Sequence, residues 1–237
     1  MGRLELSPRL RSVAELVPWG ARLADVGTDH AYLPAWLMLG GVIDRAIAAD
    51  LRAGPLARAR LTAEKYGLAG RMSFRLCDGL AGIRPDEADV IAVAGMGGET
   101  IAAILSAAPW TRTGGKQLLL QPMSAQPELR RWLQANGYAI RREVLSREGE
   151  TIYVAFQVSE GRMAPLTPGE QWAGRQWAGE EAPLRGAYLD RLAEQAGRAL
   201  AGLRRSTRAS DSARRLELEQ VYGDLLRLKE EWSSWQR

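Results

Sequence analysis

The sequence predicts an α/β protein with a mostly parallel seven-stranded sheet, followed by a C-terminal α-helical coiled-coil hairpin. From residue 7 to about residue 140, short apolar runs alternate with helical patterns, which is typical of parallel strands joined by crossover helices. Beyond Pro183, apolar residues recur at spacings of three and four, as they do in paired helices. Because the composition changes to Gly, Pro and polar residues after Val158, we expect two domains, 1–160 and 161–237.

Seven apolar runs have the length and composition of buried strands. They occupy residues 22–26, 46–50, 72–76, 90–94, 117–121, 139–145 and 151–157. Only residues 146–150 join the last two runs. Because this segment is too short for a crossover helix, those two strands are expected to form an antiparallel hairpin.

Three short patterns mark the ends of helices. Ser7-Pro8 predicts the start of the first helix, with Ser7 as the N-cap and Pro8 in the first turn. Asn136-Gly137 predicts the end of the helix that follows the fifth strand. Residues 167–170 form a capping-box pattern and predict a short helix early in the second domain.

Two apolar seams predict the helices of the hairpin. The first seam contains Leu189, Leu192, Ala196, Ala199 and Leu203, and the second contains Leu218, Val221, Leu225, Leu228, Trp232 and Trp235. The segment between them, 206–212, is polar and rich in capping residues. We therefore expect two antiparallel helices joined by a turn.

Composition limits the classes of protein. The 237 residues, 46% hydrophobic, are enough for one sizeable core and a small second domain. No apolar run approaches the roughly 20 residues that cross a bilayer, and the N-terminus shows no signal segment, so we expect a cytoplasmic protein without membrane contact. The single cysteine, Cys77, and the single histidine, His30, exclude an internal disulfide and a nitrogen–sulfur metal site. No metal is expected, although these two counts leave an oxygen-only site open.

The charge of the chain favours a polyanionic partner. Its net charge is +4 and its pI is about 9.5, although the arginine bias of a GC-rich genome gives the same excess. Six arginines cluster on the predicted hairpin and its turn: Arg198, Arg204, Arg205, Arg208, Arg214 and Arg215. They predict either contacts with an RNA backbone or a solvated helix face. The hairpin can equally serve a second subunit, although a monomer is favoured.

The loop after the first strand carries an unusual set of side chains. It contains one glycine, Gly27, and then Asp29, His30 and Tyr32. A dinucleotide-binding loop has three glycines and accepts a pyrophosphate, which the Asp29 carboxylate would repel. The loop suits a ligand with a positive charge and a sugar diol, such as S-adenosylmethionine. The alternative is that Asp29 is simply the N-cap of the next helix.

Chemically distinctive residues follow each of the first five predicted strands. They are 25–30, Asp50, 77–79, 94–98 and 121–122. In an open α/β sheet the ligand binds beyond the carboxyl ends of the strands, where the strand order reverses. Asp50 can accept both hydroxyls of a ribose, and Asp78 can accept from an adenine amino group. The glycines after strand four lack a phosphate-loop ending, which disfavours nucleotide triphosphate hydrolysis.

Five segments together resemble the TrmK family of bacterial tRNA (adenine-22-N1)-methyltransferases. They are Leu6-Ser7-Pro8-Arg9-Leu10, the run from Ala24 to Pro34, Cys77-Asp78-Gly79-Leu80, Ala94-Gly95-Met96-Gly97-Gly98 and Leu120-Gln121-Pro122. The resemblance implies a Rossmann-like class I methyltransferase that uses S-adenosyl-L-methionine to methylate N1 of adenine 22 in the D-arm region of tRNA. A mostly parallel sheet that ends in an antiparallel hairpin agrees with this class.

The resemblance also assigns roles to individual residues. The donor site is expected at Asp25, Gly27, Thr28, Asp50, Leu51, Cys77, Asp78, Gly79, Ala94, Gly95, Met96 and Gly97, and tRNA contacts at Arg9, Gln121, Pro122, Arg204, Arg205 and Arg208. Two positions depart from the family pattern. Asp50 stands where glutamate is common, and Met123 stands where asparagine often follows Gln121-Pro122.

Three residues are candidates for the catalytic site. Adenine N1 has an in-plane lone pair, so the main tasks are alignment and electrostatics. Asp29 can stabilise positive charge that develops on the base and orient its amino group. Tyr32 can stack on the base, and His30 can line the pocket or assist proton movement. For His30, a helix-start histidine that satisfies backbone groups is the alternative; for Met96 it is core packing.

Two other functions stay open on these residues. The first is a class I methyltransferase that acts on a small molecule or a protein and uses the hairpin to dimerise. The second is a noncatalytic RNA-binding protein on the same fold. Retention of Asp50, Asp78 and Asp29 argues against the second.

Overall fold

The computed structural model describes residues 4–205 and 211–236. By their internal contacts these residues form two compact units. The first contains the described residues up to Ala125 together with Trp132–Met163, and the second contains Gln126–Arg131 and the described residues from Ala164 onwards. The hydrophobic pattern did not indicate that residues 126–131 group with the second unit.

The first unit is built on a seven-stranded sheet in the order β3-β2-β1-β4-β5-β7-β6. The strands are β1 Leu23–Val26, β2 Ala46–Asp50, β3 Met72–Leu76, β4 Val90–Gly97, β5 Gln117–Ser124, β6 Tyr138–Glu148 and β7 Thr151–Glu160. The helices around it are α1 Pro8–Ala14, α2 Tyr32–Leu39, α3 Ala53–Lys65, α4 Gly98–Ala107 and α5 Gln126–Ala135, with a 3₁₀ turn at Pro109–Arg112. The predicted fold class and all seven predicted strands are confirmed.

The sheet is parallel from β3 to β5 and antiparallel from β5 through β7 to β6. The predicted hairpin of the last two strands is therefore confirmed. β1 pairs with β2 on one side and with β4 on the other, so the strand order reverses between β1 and β4. This is the switch point at which open α/β sheets bind their ligands.

The central strands form a rigid base for that edge. All residues of β1 and β2 are buried, and so are residues 90–93 of β4. Because helices cover both faces of a parallel sheet, such strands are mainly apolar, and the exceptions here are Asp25 in β1 and Asp50 at the end of β2. The polar residues at their carboxyl ends are consequently held on an ordered support.

The predicted starts of α1 and of the short helix after residue 167 are confirmed, whereas the alternative that Asp29 is an N-cap is wrong. Ser7 caps α1, and Thr167 forms a capping box with Glu170. Asp29 is not an N-cap, because α2 begins only at Tyr32, after Ala31 in the left-handed conformation with φ +52°. Asp29 instead pairs with Arg58.

The second unit contains α6 Pro168–Ala173, α7 Arg185–Arg204 and α8 Asp211–Trp235. Two ion pairs, Arg204–Glu219 and Lys229–Asp190, join opposite ends of α7 and α8, which shows that these helices run antiparallel. The predicted α8 seam is confirmed, since Leu218, Val221, Leu225, Leu228 and Trp232 are buried and Trp235 packs against them. Of the predicted turn, residues 206–210 lie outside the described residues.

The α7 seam differs from the prediction at one position. Ala199 is exposed, and Leu200 is buried in its place together with Ala193. The spacings of residues 189, 193, 196 and 200 also fit a heptad, and this alternative stripe buries a leucine rather than an alanine. Leu192 and Leu203 lie at the edge of the core.

The described residues contain neither a membrane-spanning helix nor a cluster of metal-ligating side chains. None of the helices in 4–205 and 211–236 is both long and apolar enough to cross a membrane. In the same residues, no three His, Cys, Asp or Glu side chains are grouped so that they could hold a metal ion.

Candidate active site

The loop after β1 folds back over the end of β2. The backbone N–H groups of Gly27 and Thr28 both donate to the Ala49 carbonyl oxygen, at 2.8 and 3.0 Å. Gly27 has φ +76°, a conformation that favours glycine. The chain can therefore turn sharply at the switch point and present Thr28 and Asp29 beyond the sheet.

Two buried carboxylates, Asp25 and Asp50, lie at the ends of the adjacent strands β1 and β2. Burial raises the pKa of Asp25 to about 6; the Thr28 side chain partly offsets this increase and the nearby charge of Asp50 adds to it. Asp50 Oδ1 accepts a hydrogen bond from Arg52 N at 2.8 Å, while the exposed Arg52 Nε is 3.9 Å away. This edge therefore has negative charge with little compensation, which suits a cationic ligand with hydroxyl groups.

Thr28 carries a buried hydroxyl group whose hydrogen bonding is incomplete, although it lies near enough to Asp25 to lower the pKa of that carboxyl group. Its side-chain oxygen Oγ1 is buried, and no group among the described residues meets hydrogen-bonding geometry with it. A buried hydroxyl without a partner costs free energy. The residues around it therefore fit a polar ligand that supplies the missing hydrogen bond.

The end of β3 completes one side of the site. Cys77 N donates to the Asp50 carbonyl oxygen at 3.0 Å, which joins the ends of β2 and β3. Asp78 is exposed, and Leu51 and Leu76 expose large apolar side chains. These groups offer apolar contacts and one carboxylate acceptor to a ring that carries an amino group.

The end of β4 closes over the first loop. A Cβ on Gly27 would lie 2.0 Å from Met96 Cε, so the Met96 methyl group occupies the space that a side chain at residue 27 would fill. Gly95 has φ +80°, and α4 begins directly after Gly97. The predicted donor residues Ala94, Gly95, Met96 and Gly97 thus form the last part of β4 and are only partly buried or exposed. β4 thus extends three residues beyond its predicted end at Ala94.

Arg9 reaches the same edge from α1. Arg9 Nη1 donates to Gln121 Oε1 at 2.6 Å, and Gly95 N donates to the same oxygen at 3.1 Å. Gln121 is fully buried, and its Nε2 donates to the Pro122 carbonyl oxygen. Both ends of the Gln121 amide therefore bond within the chain, and Gln121 ties Arg9 to the end of β4.

Asp29, His30 and Tyr32 lie together at the mouth of the site. The rings of His30 and Tyr32 are stacked with centroids 4.9 Å apart and an interplanar angle of 12°. His30 Nε2 lies 3.5 Å from Asp29 Oδ2. Tyr32 remains 40% exposed, so one aromatic group is available at the mouth.

Arg58 is a residue of this cluster that sequence analysis missed. Its guanidinium donates to Asp29 Oδ1 through Nε at 3.1 Å and also through Nη2. Chiefly through this hydrogen bonding, Arg58 holds the pKa of Asp29 below its ordinary value. An exposed arginine 29 residues away on a helix gives no local signal, because only the tertiary fold brings α3 beside the loop.

The predicted RNA-contacting arginines of the hairpin belong to the second unit. Arg204 pairs with Glu219 at 3.3 Å, and Arg205 Nε donates to the Ala201 carbonyl oxygen. Arg208 lies outside the described residues. Contacts of these side chains with RNA stay a prediction.

Comparison with known proteins gives the same class of site. Residues 6–156 match the family described as a methyltransferase domain. Together with the doubly wound sheet and the acidic edge at its switch point, this match defines a methyltransferase.

The relatives define the family more narrowly. The chain is 42% identical over 161 residues to the tRNA (adenine(22)-N(1))-methyltransferase of Bacillus subtilis (strain 168), covering 68% of each chain. The protein belongs to this family of tRNA (adenine(22)-N(1))-methyltransferases.

Solved structures agree over nearly the whole chain. The crystal structure of the B. subtilis M1A22 tRNA methyltransferase TrmK superposes with a TM-score of 0.85 at 32% identity, covering 95% of this chain and 99% of that one. Streptococcus pneumoniae Sp1610 in complex with S-adenosyl-L-methionine gives a TM-score of 0.78 at 34% identity, covering 92% and 100%. Mycoplasma capricolum TrmK in complex with S-adenosyl-homocysteine gives 0.77 at 25%, covering 95% and 98%.

Proposed function

We propose that this protein transfers a methyl group from S-adenosyl-L-methionine to N1 of adenine 22 in the D-arm region of tRNA. The observation that carries the proposal is the likeness to TrmK of B. subtilis, which extends over 95% of the chain and therefore includes the helical unit as well as the sheet. The acidic edge and the unpartnered Thr28 hydroxyl support the choice of donor. A tRNA substrate places the reaction in the cytoplasm.

Residues at the carboxyl ends of β1 to β4 would hold the donor. Asp50 would accept from the ribose hydroxyls and Asp78 from the adenine amino group. Thr28 and Asp25 would face the charged amino-acid portion, where a cation also stabilises the charged form of Asp25. The remaining members of the donor site line it: Gly27, Leu51, Cys77, Gly79, Ala94, Gly95, Met96 and Gly97. When bound, the donor supplies an electrophilic methyl group on a cationic sulfur.

Asp29 would act on the target base. Because Arg58 lowers its pKa, the carboxyl group is charged at neutral pH. An anionic oxygen beside the base can accept a hydrogen bond from the exocyclic amino group and stabilise the positive charge that develops in the ring as N1 attacks. N1 has its own lone pair, so this step requires no general base.

His30 and Tyr32 would form the wall against which the base rests. N1 lies on the Watson–Crick edge, so the adenine has to leave its pair or stack before it can react. An exposed aromatic ring gives an unstacked base a replacement surface. The stacked pair of His30 and Tyr32 would therefore both bind the base and fix its orientation toward the donor.

The substrate extends beyond the base. Arg9, held by the buried Gln121, would bind on the β5 side of the target, where Pro122 also lies. Arg204, Arg205 and Arg208 of the helical unit would contact tRNA phosphates. The enzyme would act as a monomer.

The first test is methyl transfer to unmodified tRNA with adenine at position 22 and to the same tRNA with guanine there. Labelled S-adenosylmethionine and nucleoside mass spectrometry report the amount and the position of the product. N1-methyladenosine only in the first RNA is expected. Methylation that ignores tRNA would instead indicate a small-molecule or protein acceptor, and failure to bind the donor would overturn the proposal as a whole.

A second test separates donor binding from the chemical step. Asp29→Ala is expected to keep its affinity for S-adenosylmethionine and to lose turnover, whereas Asp50→Ala is expected to lose donor affinity. Isothermal titration calorimetry and single-turnover methylation measure the two effects. Full activity of Asp29→Ala would remove Asp29 from the mechanism.

A further inference from the structure

Arg58 is the one cation that donates two hydrogen bonds to the Asp29 carboxylate among the described residues. Nε lies 3.1 Å from Asp29 Oδ1, and Nη2 donates to the same oxygen. Arg58 belongs to α3 and Asp29 to the loop after β1, so the contact joins two separate elements of the first unit. Arg58 therefore fixes one oxygen of the carboxylate, Oδ1.

The position of Arg58 on its helix explains how it reaches the loop. Side chains on a helix point toward its N-terminus, and the residue one turn earlier is Gly54. A Cβ on Gly54 would be 3.9 Å from Arg58 Nη1, which shows that the guanidinium extends back over this glycine. The start of α3 follows directly after β2, so the guanidinium lies near the edge of the sheet that holds the site.

Arg58 bonds to Asp29 Oδ1. The other oxygen, Oδ2, lies on the side of the stacked rings of His30 and Tyr32. His30 Nε2 lies 3.5 Å from Oδ2, and the His30 ring is stacked on Tyr32. Since Arg58 occupies Oδ1, Oδ2 retains lone pairs that can accept an N–H from a base resting on this pair.

We infer that Arg58 is a positioning residue that holds Asp29 through Oδ1 and keeps Oδ2 open for the amino group of the target adenine. The inference rests on the proposed function of the site. It concerns orientation rather than stability, because the Arg58 and Asp29 side chains are 45% and 61% exposed and exposed ion pairs contribute little to folding. Variants at residue 58 are therefore expected to fold.

A double-mutant cycle tests this role. Arg58→Met is expected to lower kcat about tenfold, as loss of alignment at a reacting group does, with the KM for tRNA and the affinity for S-adenosylmethionine changed less than about twofold. In an Asp29→Asn background, Arg58→Met is expected to lower kcat less than about twofold further, because there is no longer a carboxylate to orient. Arg58→Lys keeps the charge without the planar fork and is expected to restore only part of the rate.

Arg60 provides a matched control on the same helix. Its guanidinium lies 4.4 Å from the centre of the Phe74 ring. Arg60→Met removes the same charge from α3 and is expected to leave kcat unchanged. A readout independent of activity is the pKa of the Asp29 carboxyl group in the protein alone, measured by NMR, which should rise in Arg58→Met and stay constant in Arg60→Met.

The outcomes are distinct. An equal rise of the KM for tRNA in both backgrounds would mean that Arg58 binds RNA phosphate and would overturn the inference, as would an unchanged kcat in Arg58→Met. Wild-type protein that binds the donor but does not methylate tRNA would overturn the proposed function instead, while the NMR measurement would still report whether Arg58 holds Asp29.

Discussion

The buried carboxyl group of Asp25 predicts an unusual dependence of stability on pH. Burial raises its pKa from 3.8 to about 6, so the folded chain binds this proton more tightly than the unfolded chain does. Below about pH 4 the group is protonated in both states and costs nothing; as the pH rises through about 6, the folded protein loses stability. At about 1.4 kcal/mol for each pKa unit the full loss is about 3 kcal/mol, and roughly half of this loss falls between about pH 5 and about pH 8.

Asp25→Asn removes this titration. The free energy of unfolding of the first unit is measured by urea titration at both pH values, with hydrogen exchange of peptides from β1 and β4 as the signal. Wild-type protein is expected to lose about 1–2 kcal/mol more than Asp25→Asn over this range. Any constant cost of the buried amide cancels in the comparison.

The pKa shifts of other carboxyl groups do not affect this comparison. Asp29, Asp86 and Asp89 have lowered pKa values, mainly because of hydrogen bonds from arginines. Their contributions are lost only as the pH falls below about 4, outside the range of the experiment. Equal pH dependence of wild-type protein and Asp25→Asn would refute the claim that Asp25 is buried with its charge uncompensated.

Two further predictions concern the packing that supports each unit. Gly98→Ala is expected to destabilise the first unit by about 1–3 kcal/mol, because the added Cβ would lie 2.5 Å from the Ala125 carbonyl oxygen. Gly70→Ala is the control and is expected to change stability little, because a Cβ there would have no atom within 4 Å. Equal thermal midpoints of the two variants would contradict this prediction. Asp224→Ala is expected to lower the free energy of unfolding of the helical unit by about 1–3 kcal/mol, because Asp224 Oδ2 accepts a hydrogen bond from Gly169 N at 2.7 Å. Hydrogen exchange of the α6 amides measures this loss, and exchange as slow as in the wild-type protein would disprove the prediction.

The fold could be predicted because each strand carries its own signal. A strand buried on both faces is mainly apolar, and the run at 46–50 matches the buried strand β2 residue for residue. The run at 72–76 matches the edge strand β3, of which only Met72 is buried. The position of Ala199 could not be predicted in this way. Two heptad stripes overlap on α7, and packing against α8 decides between them, which local spacing does not report.

Some residues of the candidate site could be predicted from the sequence and others could not. Asp25, Asp50 and Asp78 could be placed together because parallel strands end at one edge of the sheet. The partner of Asp29 could not be found, since Arg58 is one of two exposed arginines on α3 and has no distinctive spacing. Chain topology places the ends of elements, while partners between side chains depend on how helices pack.

Gln121 shows how far a role can be inferred from position alone. Its place at the end of the predicted fifth strand, 117–121, predicts contact with the substrate, and that prediction stays open. The structure gives its amide a different task, because Oε1 accepts from both Arg9 and Gly95 N and Nε2 donates to the chain. A buried amide bonded at both ends can act on the substrate only through what it holds. Any effect of Gln121 on tRNA binding should therefore require Arg9, and the variants Gln121→Met and Arg9→Met should not add when combined.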